Sequence, residues 1–289
     1  MATAAEWLEG ARPRTLPAAV APVLVGTGAA AQLGAASIGR ALLAAGVAVS
    51  LQVGVNYAND FSDGIRGTDL ERTGPLRLTG SGAAPPEQVR LAAFAAFGVG
   101  ALLGLYLVVL SGQLWLLAVG AVAILAAWGY TGGRSPYGYR GLGEVGVFIF
   151  FGLVAVLGTT YTQAGRVSWV AGAGAVGIGL LACAILMVNN IRDLPTDVLA
   201  GKRTLAVRIG DQRARELYSI FVVLPILLGM ACAVVAPWSL LVMLLAAPVA
   251  LLVVTVRFGA FGVLLRPVLA GTAFLELAYG ILLGLGLAL

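Results

Sequence analysis

The sequence predicts an all-α polytopic membrane protein, and three observations carry that expectation. Only 11% of the 289 residues are charged and 60% are hydrophobic, against roughly 25% charged in an ordinary globular domain. The mean hydropathy is +0.97, and a soluble chain of this size would have too few charges to cover its surface. Nine apolar stretches each approach the about 20 residues that a helix needs to cross a bilayer. The 40 glycines suit close packing of membrane helices through small residues. Histidine is absent, which excludes a His triad, a His-ligated metal and a His general base. Cys183 and Cys232 lie in apolar runs and are too few for a disulfide framework or a zinc site.

The expected spans are 15–34, 39–59, 88–110, 113–131, 143–162, 168–190, 216–236, 238–256 and 267–288. The first follows Arg12 and Arg14 and contains Pro17 and Pro22, which predict a kink. Glu6 and Glu9 precede those arginines, and no small-residue cleavage site follows a short apolar core, so no cleavable signal peptide is expected. The second span runs into the polar residues Gln52, Asn56 and Asn59. The third starts after Glu87, and the fourth ends at Tyr130 and Thr131. The fifth begins at Glu144, and the sixth ends in Asn189 and Asn190. The last three carry no motif, apart from Glu276 inside the ninth.

The connections 60–87, 132–142, 191–215 and 257–266 are long and charged, whereas the others are short and nearly neutral. Sixteen of the 18 basic residues lie in the N-terminal segment, in these four connections, or at Arg90. Arg40 and Arg166 alone fall on the other side. The positive-inside rule then places the N-terminus and the charged connections in the cytoplasm and the C-terminus outside. The expected organisation is a single integral-membrane domain over 1–289, multi-pass in a bacterial cytoplasmic membrane.

All six aspartates lie in two of the cytoplasmic connections: Asp60, Asp63 and Asp69, then Asp193, Asp197 and Asp211. Asn59 and Asp63 are four apart, as are Asn189 and Asp193, and Asp193 and Asp197. That spacing sets side chains on one face of a helix. Several carboxylates at one membrane surface repel unless cations hold them. Oxygen ligands without His or Cys favour Mg2+ over zinc, commonly with substrate phosphates completing the shell. Arg66, Arg72 and Arg77 accompany the first cluster, and Arg192, Lys202, Arg203 and Arg208 the second. Lys202 is the only lysine. An arginine fork matches phosphate oxygens, so acids, Mg2+ and arginines together describe a diphosphate site.

These motifs resemble the UbiA-type intramembrane prenyltransferases, whose two Asp-rich motifs follow the second and sixth of nine helices. Within that superfamily, Asn59-Asp60-Phe61-Ser62-Asp63-Gly64-Ile65-Arg66-Gly67-Thr68-Asp69 resembles the 1,4-dihydroxy-2-naphthoate polyprenyltransferase branch. Gly74 to Gly82, Arg12 to Pro17, Tyr130 to Gly133, Gly141 to Glu144, Phe150 to Gly152, Gly158 to Gln163 and Asn189 to Gly210 resemble it as well. Aromatic prenyltransferases commonly show Asn-x-x-x-Asp-x-x-x-Asp in the first motif; here position 67 is Gly and the third acid is Asp69.

The resemblance implies a nine-helix bundle that transfers a polyprenyl group from its diphosphate to 1,4-dihydroxy-2-naphthoate. CO2 and diphosphate would leave, giving demethylmenaquinone in menaquinone synthesis. It implies Mg2+ as cofactor, held by Asp60, Asp63, Asp193 and Asp197, with Asp69 as a further acid and Asn59, Asn189 and Asn190 as neutral oxygen ligands. Arg66, Arg77, Lys202 and Arg203 are candidate phosphate or carboxylate contacts, or else positive-inside anchors. Arg14 is a candidate contact for the acceptor carboxylate. Gln52 and Asn56 either line the acceptor pocket or bond between helices, because unpaired amides in lipid are costly. Tyr130, Tyr139 and Tyr161 are candidates for steadying an allylic cation through their ring faces. Glu144 is either an acid favoured at a helix N-terminus or an acceptor contact. No nucleic-acid or obligatory protein partner is expected. The competing readings are another aromatic acceptor, a non-catalytic lipid-binding scaffold, or a secondary transporter. A transporter would hold its acids near the bilayer midplane, not at the cytoplasmic ends of spans.

Overall fold

A computed structural model describes residues 2–67 and 76–289. The described residues form α1 (Ala4–Gly10), α2 (Leu16–Gln32), α3 (Ile38–Ile65), α4 (Pro86–Ser111), α5 (Leu116–Gly129) and α6 (Gly143–Val147). There follow α7 (Gly158–Ala164), α8 (Trp169–Leu199), α9 (Leu205–Ile209), α10 (Asp211–Ala231), α11 (Ala246–Arg257) and α12 (Leu265–Ala288). A π-helical stretch, Phe148–Leu157, joins α6 and α7 into one rod, and a 3-10 helix, Pro237–Leu245, leads into α11. No strand occurs among the described residues.

Local chemistry sets several helix starts. Thr3 and Glu6 form a capping box on α1, with Glu6 Oε2 accepting from the Thr3 N–H at 2.6 Å. Ser37 and Ser168 cap α3 and α8, each accepting a backbone N–H three residues on at 3.4 Å. Among the described residues, eight helical segments are long and apolar enough to cross a membrane, so the chain is a multi-pass membrane protein. The expected fourth span is the exception. α5 has 14 residues, about 21 Å of helix against an apolar core of about 30 Å. In the other direction, α3 and α8 run past their expected ends at 59 and 190, to Ile65 and Leu199. Hydropathy stops where the polar motifs begin, but helical hydrogen bonding does not, so both motifs occupy the last turns of long helices.

α8 is the centre of the bundle. Of its most apolar window 67% is buried, against 17% for α3. It packs on the π-helical stretch, α10, α12 and α2, while α3 pairs with α4 at the periphery. Ile178, Leu181, Met187, Tyr279 and Leu283 form the solvent-free core. Leu102, Leu125 and Leu251 face outward, as a lipid-contacting surface requires. α2 and α12 cross through small residues: a Cβ on Gly28 would lie 2.2 Å from the carbonyl oxygen of Gly284.

At the N-terminal end of α3, the Arg40 guanidinium donates to the carbonyls of Thr162, Gln163 and Leu110 at 2.9, 3.3 and 2.8 Å. These carbonyls end α7 and α4, so one arginine ties three helices at the end of the bundle away from the motifs. Glu276 is fully buried in α12, and neither carboxyl oxygen has a hydrogen-bond partner among the described residues.

Gly28→Leu is expected to force α2 and α12 apart at a cost of about 1–3 kcal/mol or more. A thermal-unfolding measurement in detergent should show a lowered midpoint. Gly120→Leu, where a Cβ meets nothing within 4 Å, should leave it unchanged.

Candidate functional site

The site is built at the C-terminal ends of α3 and α8. On α3, Asn59 and Asp63 share a face. Asn59 Oδ1 accepts from the Thr131 hydroxyl at 2.6 Å, and Asp63 accepts from the Tyr139 hydroxyl. One turn on, Arg66 donates to the carbonyls of Thr131 and Gly133. These bonds pin the 131–140 connection, including the 3-10 turn Tyr137–Arg140, across the end of α3.

On α8, Pro195 has no N–H to donate, and the Thr196 hydroxyl bonds the carbonyl of Asp193 at 2.8 Å. The Arg192 fork takes both carboxylate oxygens of Asp193, at 2.7 and 2.8 Å, and Asn189 Oδ1 at 2.7 Å. Beyond Leu199 the chain reverses through Gly201, at φ 69°, a left-handed conformation open to glycine. The Lys202 N–H returns to the carbonyl of Asp197 at 2.8 Å.

That reversal places Lys202 between the two motifs. Its ammonium lies 4.5 Å from the centre of the Tyr139 ring and 3.9 Å from Asp63 Oδ1. The Arg66 guanidinium lies 5.5 Å from the same ring, and the Arg203 N–H donates to the Tyr139 carbonyl at 2.9 Å. Tyr139 is therefore a hub: its hydroxyl holds the first motif, its carbonyl holds the segment after the second, and two cations meet its ring. Asp63, Asp193, Asp197 and Lys202 are all buried.

The other predicted residues divide. Asn190 Nδ2 donates to Glu144 Oε1 at 3.0 Å, so Glu144 starts its span against the second motif. Tyr130 packs edge-on against Tyr137, centroids 5.4 Å apart, and burial pushes the Tyr137 phenol up to about 12. Gln52 and Asn56 are interhelical ties: both donate to Thr15 Oγ1 at 3.0 Å, and Asn56 also donates to the Ala11 carbonyl at 2.9 Å. Their N–H groups hold the chain entering α2, as a bond between helices would. Tyr161 stands apart from the junction. It sits on Trp115, centroids 5.6 Å apart, at the far end of the rod that Glu144 begins, roughly 20–25 Å away at helical rise. The side chains of Arg14 and Arg203 are exposed and Arg77 is half-buried. Asp69 lies outside the described residues. Asp60 makes none of these side-chain contacts and instead accepts the N–H groups of Leu78 and Thr79, at 2.8 and 2.9 Å. Thr131 and Thr15 are site-building residues that the acid-and-arginine reading missed. The signal for Thr131 was its place in the Tyr130-Thr131-Gly132-Gly133 block.

No group of three acids is close enough to hold an ion among the described residues. The donor chemistry nevertheless suits Mg2+: hard oxygens only, on carboxylates already faced by cations. Such ions are commonly bound by one or two carboxylates with the substrate phosphates. The arrangement thus fits a phosphate-bearing ligand better than a preformed metal cage.

Fold and site together define a helical membrane protein with acids and cations joined at one end of its bundle. The profile of the UbiA prenyltransferase family matches residues 19–285, so the chain belongs to that family and is a prenyltransferase. It is 55% identical over 282 residues to a Mycobacterium tuberculosis protein named 1,4-dihydroxy-2-naphthoate octaprenyltransferase, covering 97% of this chain and 96% of that one. An Escherichia coli protein of the same name is 40% identical over 219 residues, covering 74% and 71%. Among solved structures, a UbiA homologue from Aeropyrum pernix superposes with a TM-score of 0.70 at 17% identity, covering 94% and 96%. One from Archaeoglobus fulgidus, bound to DMAPP and Mg2+, gives 0.68 at 15% identity, covering 96% and 98%.

Lys202→Met should remove a cation that faces the buried Asp63, and Tyr139→Phe should remove the hydroxyl from which Asp63 accepts. Each is expected to cost about 1–3 kcal/mol, read as a lowered unfolding midpoint. Lys202→Arg should recover part of the loss.

Proposed function

We propose that this chain transfers a polyprenyl group from polyprenyl diphosphate to 1,4-dihydroxy-2-naphthoate in menaquinone synthesis. The observation that carries the reading is the 55% identity, over 97% of the chain, to a relative named for that acceptor. The allylic C–O bond breaks and its electron pair leaves with the diphosphate. The electron-rich ring attacks the allylic carbon through the carbon that bears the carboxylate. CO2 then departs and its bonding pair returns to the ring, giving demethylmenaquinol and, on oxidation, demethylmenaquinone. Charge and atoms balance without an added base, in keeping with a chain that has no histidine.

In this reading Asp63, Asp193 and Asp197 hold the Mg2+–diphosphate, with Asn59, Asn189 and Asn190 as neutral donors and Asp69 as a further acid. Bound Mg2+ supplies charge neutralisation for the departing diphosphate. Lys202 and Arg66, already gathered on Tyr139, contact the phosphates, with Arg77 and Arg203 at the rim. Arg192 orients Asp193 and Asn189. Glu144, Tyr130 and Tyr139 lie on the acceptor side, where Tyr139 offers its ring to developing positive charge. The apolar bundle takes the prenyl chain and excludes water from the allylic cation. A single domain over 1–289 sits in the bacterial cell membrane with the N-terminus and the site towards the cytoplasm and the C-terminus outside. The charge bias of the connections supports that orientation.

Purified protein supplied with Mg2+, a polyprenyl diphosphate and 1,4-dihydroxy-2-naphthoate should yield prenylated naphthoquinol by mass spectrometry, and EDTA should abolish it. Asp63→Asn and Asp193→Asn are expected to lower kcat by about 100-fold or more. Prenylation of 4-hydroxybenzoate in place of the naphthoate would overturn the acceptor. Wild-type turnover in both variants would overturn the site.

A further inference from the structure

Asp60 is the acid that the junction of the two motifs does not use. On a helix it points about 100° from Asn59 and about 60° from Asp63. The contacts follow that divergence: Asn59 and Asp63 meet Thr131, Tyr139 and Lys202, whereas Asp60 accepts from the segment after residue 76, with the Arg12 charge also near it. Each of its oxygens accepts one backbone N–H, from Leu78 at 2.8 Å and Thr79 at 2.9 Å, and the residue is 1% exposed.

The same segment is seated at three further points. Leu78 is fully buried with Ala84 and Val89, against Trp7, Tyr57 and Phe61. The Leu76 N–H donates to Glu9 Oε1 at 3.2 Å. Gly64, one turn beyond Asp60, lies so close that a Cβ there would meet Thr79 Cγ2 at 2.4 Å. The segment also closes on itself, since the N–H groups of Ser81, Gly82 and Ala84 donate to the carbonyls of Arg77, Thr79 and Leu78 at 2.9, 3.1 and 3.0 Å. It is a compact turn held as a unit, and Arg77 is part of it.

We infer that Asp60 is a positioning residue: its carboxylate latches the 77–84 turn to the end of α3, placing Arg77 beside the diphosphate site, and does not ligate Mg2+. The two N–H donors are backbone groups that would otherwise be buried without partners, so a carboxylate, which accepts on both oxygens, is the side chain this position needs. An amide of the same shape accepts on one oxygen only and turns its NH2 against the second N–H. The inference rests on the proposed diphosphate reading for its kinetic consequence, while the latch itself is read without turnover.

Asp60→Asn is the test, with Gly64→Ala as an independent way to displace Thr79. In wild-type protein, hydrogen exchange should show the Leu78 and Thr79 amides protected. In both variants they should exchange about tenfold faster or more, with the KM for polyprenyl diphosphate raised by about tenfold. kcat at saturating substrate and the Mg2+ concentration for half-activation should stay within about threefold of wild type. Unprotected amides in wild type would overturn the latch, as would a kcat collapse with weakened Mg2+ activation in Asp60→Asn that matches Asp63→Asn. Absence of prenyl transfer by wild type would instead defeat the proposed function and leave the exchange measurement to decide the latch. If Asp60→Asn does not fold, wild-type protection and Gly64→Ala still decide it.

Discussion

The contact on which the rest of the site depends is the meeting of Asp63, Tyr139 and Lys202. Asp63 ends α3 and Lys202 follows α8, and their charged atoms stand 3.9 Å apart while both residues are buried. A lone buried charge costs several kcal/mol, so each side chain makes the other's burial tolerable. Tyr139 completes the arrangement from a third stretch of chain, with its hydroxyl on Asp63 and its ring under Lys202. Lys202 and Tyr139 thus help to hold together two helix ends whose acids would repel.

The apolar surroundings explain why so many polar side chains act as ties. A bilayer offers no water to buried N–H and C=O groups. Gln52 and Asn56 hold the chain entering α2, Arg40 closes the ends of α7 and α4, and Thr160 bonds the Gly26 carbonyl at 3.0 Å. Asp60 belongs with these ties by geometry, although its neighbour three residues on belongs to the charged junction. A carboxylate in an acid-rich motif can thus bond the protein's own backbone.

Much of the architecture was legible from hydropathy and spacing. Apolar runs marked eight of the membrane-spanning segments, because burial in lipid acts on every residue of a span and needs no partner. The fourth run shows a related effect: residues 113–131 are apolar, and the helix within them covers Leu116–Gly129, since composition does not report where a helix stops. The i, i+4 spacing of Asn59 with Asp63 and of Asn189 with Asp193 is a property of a single helix, so it too could be read locally. The order of the motif blocks marked the family that the match over residues 19–285 then showed.

Partners were another matter, because they depend on which helices become neighbours. Gln52 and Asn56 were equally suited to a pocket or a tie until α3 was laid against residues 11–15. Tyr161 lies in one of the motif blocks, yet its rod carries it far from Glu144, against Trp115. By itself the sequence determined the class of protein, the helices and the side on which the charges gather, all of which follow from periodicity and transfer to lipid. Only the tertiary structure decided that Lys202 faces Asp63, that Asn190 bonds Glu144 and that Asp60 turns to Leu78 and Thr79. These choices are made by crossing helices and a chain reversal at Gly201, and contacts between segments far apart in the chain leave no local period to read.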